Sequence, residues 1–194
     1  DGALKTEARK LYYSHYGPIL NVDPFGWSPS VALTYRDANI DNQKLIAQFL
    51  GMNKARSMAE FKQVYADIGG IPWVNTMAAD ATGQAWYIDA SATPRLEQPA
   101  IEGWLEAING GDFLAGALYQ QGVVALDGSS SVNEWSDAAG ARSPGVVPYA
   151  ELPQIDRDDF VFNANDSYWL ANPSAPLTGF SPLHGFERVA QSAR

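Results

Sequence analysis

The chain has 194 residues, 46% of them hydrophobic and 18% charged, with a formal net charge of -9 and no cysteine. Length and apolar content suit one sizeable core and exclude disorder or a long coiled coil. The acidic surface repels phosphate backbones, no apolar run spans a bilayer, no polybasic run holds an anionic membrane, and the lack of Cys removes disulfides, thiolate metal sites and cysteine nucleophiles.

The start, Asp1-Gly2-Ala3-Leu4-Lys5, carries neither an initiator Met nor a signal-peptide pattern and is expected to be an internal or processed terminus. Residues 8–13 read as a strand, stopped by a turn at Tyr16-Gly17-Pro18. Val31 to Tyr35 is a second short strand. From Asn39 to Met52 the pattern is helical, with Leu45, Ile46, Phe49 and Leu50 forming one apolar stripe, and Asp37 is expected at its N-terminus. Ser57-Met58-Ala59-Glu60 has the spacing of a capping box, in which hydroxyl and carboxylate each accept from a free amide of the first turn. Phe61, Val64 and Ile68 then share a face, and Gly69-Gly70 stops the helix.

Two strands follow, Trp73 to Ala79 and Ala85 to Ala90, joined by Asp80-Ala81-Thr82-Gly83 as an antiparallel hairpin. Ile101 to Ile108 reads as a short helix ended by Gly110-Gly111, and Val123 to Leu126 as a short strand. Residues 132–152 read as loop, Phe160 to Phe162 as a strand, and the rest as irregular. Antiparallel strands with a helical pair make an α+β arrangement.

Only two histidines are present, His15 and His184. Neither lies near a nucleophile-elbow motif, and the pair has no metal-ligand spacing, so both read as surface or turn residues and no metal or cofactor is expected. Asp37, Asp41, Asp80, Asp89, Asp158 and Asp159 are candidates for paired carboxylates, but nothing in the sequence brings two of them together. Asn163-Ala164-Asn165-Asp166-Ser167-Tyr168-Trp169 is the most unusual stretch. Such Asn residues either build turns, because Asn accepts left-handed backbone, or place a side-chain amide as an oxyanion donor; composition favours the turn.

Several stretches, taken in order, resemble one family. They are Tyr16-Gly17-Pro18, Tyr35-Arg36-Asp37-Ala38-Asn39, Gly70-Ile71-Pro72-Trp73-Val74-Asn75-Thr76, Ala78-Ala79-Asp80, the stretch from Phe160 to Trp169, and Gly179-Phe180-Ser181-Pro182-Leu183. Together they resemble the β-chain of the penicillin acylases, nearest to the branch of aculeacin, acyl-homoserine-lactone and pyoverdine-maturation acylases. The resemblance covers nearly the whole chain. It implies that 1–194 is a single region, an internal portion of a β-chain, and part of an αββα fold of the N-terminal nucleophile hydrolases.

The same resemblance implies the chemistry. A Ser that opens the β-chain attacks an amide carbonyl, its own α-amino group serves as base, and an acyl-enzyme is then hydrolysed. A backbone amide and an Asn side chain hold the oxyanion. Asn165 matches that Asn, with Asn163 as the alternative register, and Arg194 matches an orienting Arg. Trp73 and Phe49 fall where that branch lines its acyl pocket, with ordinary core positions as the competing reading. The first residue here is Asp1, so the nucleophile, its neighbouring His and the backbone oxyanion donor are expected on other segments. The implied partners are the remaining acylase segments, an α-chain and the nucleophile-bearing part of the β-chain, with a small acylated amide as substrate. The implied setting is periplasmic or secreted. Whether the amine is a β-lactam nucleus, a homoserine lactone or a peptide stays open. The alternative is a non-catalytic binding or scaffold domain with an aromatic ligand face.

Overall fold

A computed structural model describes residues 2, 4–23, 26–165 and 168–185, and its backbone clusters into two compact units, 1–40 and 41–194. The first unit holds a small antiparallel sheet of β1 (Tyr13–Ser14), β2 (Gly17–Leu20) and β3 (Leu33–Thr34), in that order. Its first turn sits at His15 and Tyr16, one step before the expected place, and Gly17 opens β2 instead of closing the turn. Only glycine fits there, because φ is 144° and a Cβ would stand 2.1 Å from the Tyr35 carbonyl oxygen. Asp37 does not cap a helix. Its Oδ1 accepts from Asn39 N at 2.8 Å, which folds 37–40 into a turn.

The second unit begins with a helical pair, α1 (Leu45–Lys54) and α2 (Met58–Ile68). At α2 the Ser half of the expected capping box forms, Ser57 Oγ accepting from Glu60 N at 3.2 Å, while Glu60 Oε2 accepts from Arg56 N at 2.7 Å, one residue before the cap. Gly69 ends the helix in the left-handed conformation, φ 59°. The half-buried Arg142 guanidinium donates to the Gly69 and Ile71 carbonyls just beyond this end.

The two helices use their apolar stripes differently. In α2, Met58 and Tyr65 are buried, with Phe61 packed beside them. In α1, the stripe of Leu45, Ile46, Phe49 and Leu50 is exposed, while Gln48 and Gly51 face inward. Gly51 is the contact point, since a Cβ there would lie 2.8 Å from Val64 Cγ1. Gln48 is fully buried because its Oε1 accepts from Gly70 N at 3.0 Å.

The main sheet is antiparallel with order β4-β5-β6, formed by β4 (Asn75–Ala79), β5 (Ala85–Asp89) and β6 (Gln154–Arg157). The hairpin of β4 and β5 follows the expected turn, in which Asp80 Oδ1 accepts from Thr82 N, Thr82 Oγ1 and Gln84 N. β5 is central and buried along its whole length. Strand alternation sends its side chains to two covered faces. Trp86 and Ile88 pack with Met58, Tyr65, Ile71 and Leu152 beneath α2. Tyr87 packs on the opposite face with Tyr168, Trp169 and Ala171. Lys62 of α2 pairs with Asp156 of β6 and lies 5.5 Å over the Trp86 ring, fixing the helix to the sheet.

A third cluster gathers Leu96 with Ala100 and Ile101 of α3 (Gln98–Asn109), which begins earlier than the apolar spacing suggested, with Pro99 in its first turn. Among the strands and α-helices, three are absent from the sequence reading: β2, which stands where a turn was expected, β6, and α4 (Phe113–Gln120), capped by Asp112 Oδ1 on Ala115 N at 2.8 Å. Of the strand expected over residues 8–13 only Tyr13 lies in β1, and two further expected strands do not form. Val123 folds back on α4, donating to the Leu118 carbonyl at 3.0 Å, and Phe160 to Phe162 run as irregular chain. With four α-helices and two antiparallel sheets among the described residues, the fold is α+β.

Candidate active-site segment

The loop that follows β6 carries the Asn-rich stretch. At its base, Asp159 is bridged by Arg157 through Nε at 2.8 Å and Nη2 at 2.7 Å, and also accepts from Phe160 N at 2.6 Å. Those bonds hold the Asp159 carboxyl well below the usual carboxylate range, with the Arg157 side chain the largest cause. Asn163 Oδ1 accepts from Asn165 N at 2.8 Å, a turn closed by a side chain. Asn165 itself has φ 65°, the only positive φ outside glycine among the described residues, and it is exposed. The turn and the donor readings therefore meet at the same residue. The turn belongs to the Asn163 side-chain Oδ1, whereas Asn165 adopts left-handed backbone, a conformation Asn tolerates better than most residues, and leaves its side chain on the surface.

Beyond the Asn turn the chain returns inward. Tyr168 and Trp169 are buried against Tyr87, whose hydroxyl donates to Asn75 Oδ1 at 2.5 Å. Burial pushes the Tyr87 phenol well above its ordinary range, and the nearby Asp89 carboxylate adds to this. The aromatic layer thus anchors the returning limb of the loop on the sheet.

The other sequence candidates lie elsewhere. Phe49 sits on the outer face of α1, 45% exposed, and Trp73 on the turn leading into β4, 73% exposed. Neither is buried within this chain's own described residues. Among the described residues no hydrogen bond or ring contact joins Phe49, Trp73 and Asn165. Arg194 lies outside the described residues.

His15 is an exposed turn residue stacked on Tyr16, with centroids 3.8 Å apart. His184 differs from the surface reading. It stands in a single helical turn, Pro182–His184, and its Nδ1 lies 2.9 Å from Thr93 Oγ1. Its Nε2 is buried with no hydrogen-bond partner. Burial pushes its pKa down to about 4, against an opposing pull from Asp89. A hydroxyl beside an imidazole has the composition of a nucleophile and base. Thr93, however, is buried, and an imidazole with so low a pKa is a weak proton acceptor, so the pair reads as a structural fastening. Sequence reading had no signal for it, because the two residues are 91 positions apart. The same His lines a cavity of about 360 Å³ with Arg95, Leu96, Val147, Glu151 and Phe180. Arg95 is already engaged there, by Glu97, Ser136 and Glu151. Among the described residues no group of three or more His, Asp or Glu could hold a metal ion.

Comparison with known proteins places this geometry in a family. The sequence matches the penicillin amidase family over residues 1–193, and the chain belongs to that family. It is 38% identical over 184 residues, 94% of its length, to an acyl-homoserine lactone acylase PvdQ of Pseudomonas putida, covering 22% of that protein. It is 39% identical over the same share to the protein of that name in Pseudomonas fluorescens. With aculeacin-A acylase of Actinoplanes utahensis the identity is 37% over 189 residues, 96% of this chain and 23% of the relative. The chain thus spans less than a quarter of the length of the curated relatives it matches.

Proposed function

We propose that this chain is part of an acylase that cleaves the amide between an acyl chain and a polar amine, and that Asn165 supplies one donor of its oxyanion hole. The observation that carries the reading is Asn165 itself: a left-handed, exposed Asn on a loop rooted in the central sheet, within a segment that matches the penicillin amidase family. The relatives bear acylase names, which supports the reaction class.

In this reading the nucleophile is a Ser at the start of another segment of the same protein. Its Oγ attacks the amide carbonyl while its α-amino group takes the proton. The tetrahedral intermediate expels the amine and leaves an acyl-enzyme, which water then opens. Asn165 Nδ2 donates to the carbonyl oxygen as it gains charge, alongside a backbone amide from elsewhere. Phe49 and Trp73, apolar and exposed on this chain, line the acyl pocket with help from other segments, and Arg194 orients the site. The proposed setting is periplasmic or secreted, which fractionation of the producing cells would test.

The decisive experiment is kinetic, on the complete enzyme. Replacing Asn165 by Ala is expected to lower the rate roughly 10²–10³-fold, the usual cost of one oxyanion donor. Ala also carries a left-handed backbone penalty, about 1–2 kcal/mol, so Asn165→Gly belongs beside it as the variant without that strain. An unchanged rate in Asn165→Gly removes the assignment. N-terminal sequencing of every polypeptide in the active preparation tests the other half of the reading, because one of them should begin with Ser.

A further inference from the structure

The loop bearing Asn165 is drawn together at its base. Across its base, Phe162 N donates to the Ala171 carbonyl at 2.9 Å. Among the described residues, one side chain joins the same two limbs. Asn172 is fully buried, and its Nδ2 donates to Asp159 Oδ1 at 3.0 Å and to the Phe160 carbonyl at 2.8 Å. Its Oδ1 accepts from Ser174 N at 2.9 Å. Both amide hydrogens therefore reach the outgoing limb of the loop, while the oxygen holds the returning limb. Asp159 is in turn oriented by the two bonds from Arg157 at the end of β6. A chain of charge-assisted bonds thus runs from the central sheet to the neck of the loop. Asn165 lies inside that neck, five residues past Phe160 and seven before Asn172.

A fully satisfied buried amide specifies one geometry, because any displacement of the neck leaves a polar group without a partner. We propose that Asn172, oriented by Asp159, is a positioning residue for the Asn165 amide. Its closure of the neck sets where that donor stands relative to the reacting carbonyl. The proposal rests on the reading of Asn165 as an oxyanion donor, and it makes the placement of that donor a property of a residue that never touches substrate.

The test is a double-mutant cycle on the complete, matured acylase, with maturation checked by intact mass. Asn172→Ala is expected to lower kcat by roughly 10–100-fold with KM changed no more than about twofold, the scale of a misplacement near 1 Å. In an Asn165→Gly background the same substitution should cost almost nothing further, since the donor it positions is gone. A merely structural role would lower activity equally in both backgrounds, and that result overturns the proposal. So does an unchanged kcat in matured Asn172→Ala enzyme. Should Asn172→Ala fail to mature, Asp159→Ala takes its place in the cycle, since Asp159 is exposed and its loss opens the same bond to Asn172. If Asn165→Gly alone leaves kcat unchanged, the donor reading falls first; if only the coupling is missing, the donor stands and the positioning role falls.

Discussion

The two faces of the central strand are built by different means. One face, Trp86 and Ile88, is covered by the regular helix α2 with its capping box and its glycine stop. The other, Tyr87, is covered by a single 3-10 turn, Tyr168–Leu170, and the irregular chain around it, with side-chain bonds joining Asn172 and Asp159. A helical layer is made rigid by its own backbone bonds. The irregular layer combines a few backbone bonds with side-chain bonds over longer separations, and this is the layer that carries the candidate donor Asn165. The contrast suggests a division in which the helical face supplies stability and the irregular face supplies placement.

The largest expected effect tests the helical face. Trp86 is fully buried, ringed by Phe61 and Tyr65 at 6.1 and 5.2 Å in edge contacts. Trp86→Ala should cost about 3–5 kcal/mol in urea unfolding, with lost amide-exchange protection in α2. A cost below about 1 kcal/mol would mean that α2 is not seated on the sheet, and the division would collapse.

The second test probes the irregular face through pH. His184 packs edge-on to Tyr168, 6.2 Å between centroids, and its ring is tied to Thr93. Its folded pKa, about 4, lies below the unfolded value of 6.5. Between those values the unfolded chain binds a proton that the folded chain refuses. The contribution of the neutral ring is therefore complete above about pH 6.5 and is lost as pH falls toward 4. The expected loss over that window is roughly 2–3 kcal/mol. Asp89, Arg95 and Glu151 are the charged groups near this ring. Unfolding curves for His184→Gln should be flatter over the window; an unchanged pH dependence would place the titrating group elsewhere.

This division also explains what was legible. Ser57, Glu60, Gly69 and the Asp80 turn act on neighbours within a few residues, so α2 and the hairpin could be read from spacing. α1 was legible as a helix but not in orientation, because periodicity names a stripe without saying which face is buried. There the inward contact is Gly51 and Gln48, whose partners are Val64 and Gly70. β6 has a single apolar residue in Gln154-Ile155-Asp156-Arg157, and its place in the sheet comes from pairing with β5 some seventy positions earlier. Phe160 to Phe162 had strand composition without a strand to pair with. At the site, the Asn-rich stretch drew attention by composition, and the family resemblance selected Asn165. The clamp by Asn172 and Asp159, and the fastening of His184 to Thr93, are contacts over 13 and 91 positions that no local pattern announces.

The smallest test returns to the helical face and asks whether its local signals contribute what their form suggests. Ser57→Ala removes the acceptor from Glu60 N and is expected to cost about 1 kcal/mol. Ser57→Asp keeps an acceptor and adds a negative charge at the positive end of α2, so its stability should lie within a few tenths of a kcal/mol of the natural protein. Glu60 Oε2 accepts from Arg56 N and not from Ser57 N, so the reciprocal half of the box is displaced by one residue. The two halves therefore satisfy different amides, and their losses should add: Ser57→Ala with Glu60→Ala should equal the sum of the singles within about 0.5 kcal/mol. Strong coupling would show that the cap acts as one unit despite the shifted bond. No loss at all in Ser57→Ala would mean that α2 is held by its packing on Trp86 alone, and the helical face would then be as dependent on distant contacts as the irregular one.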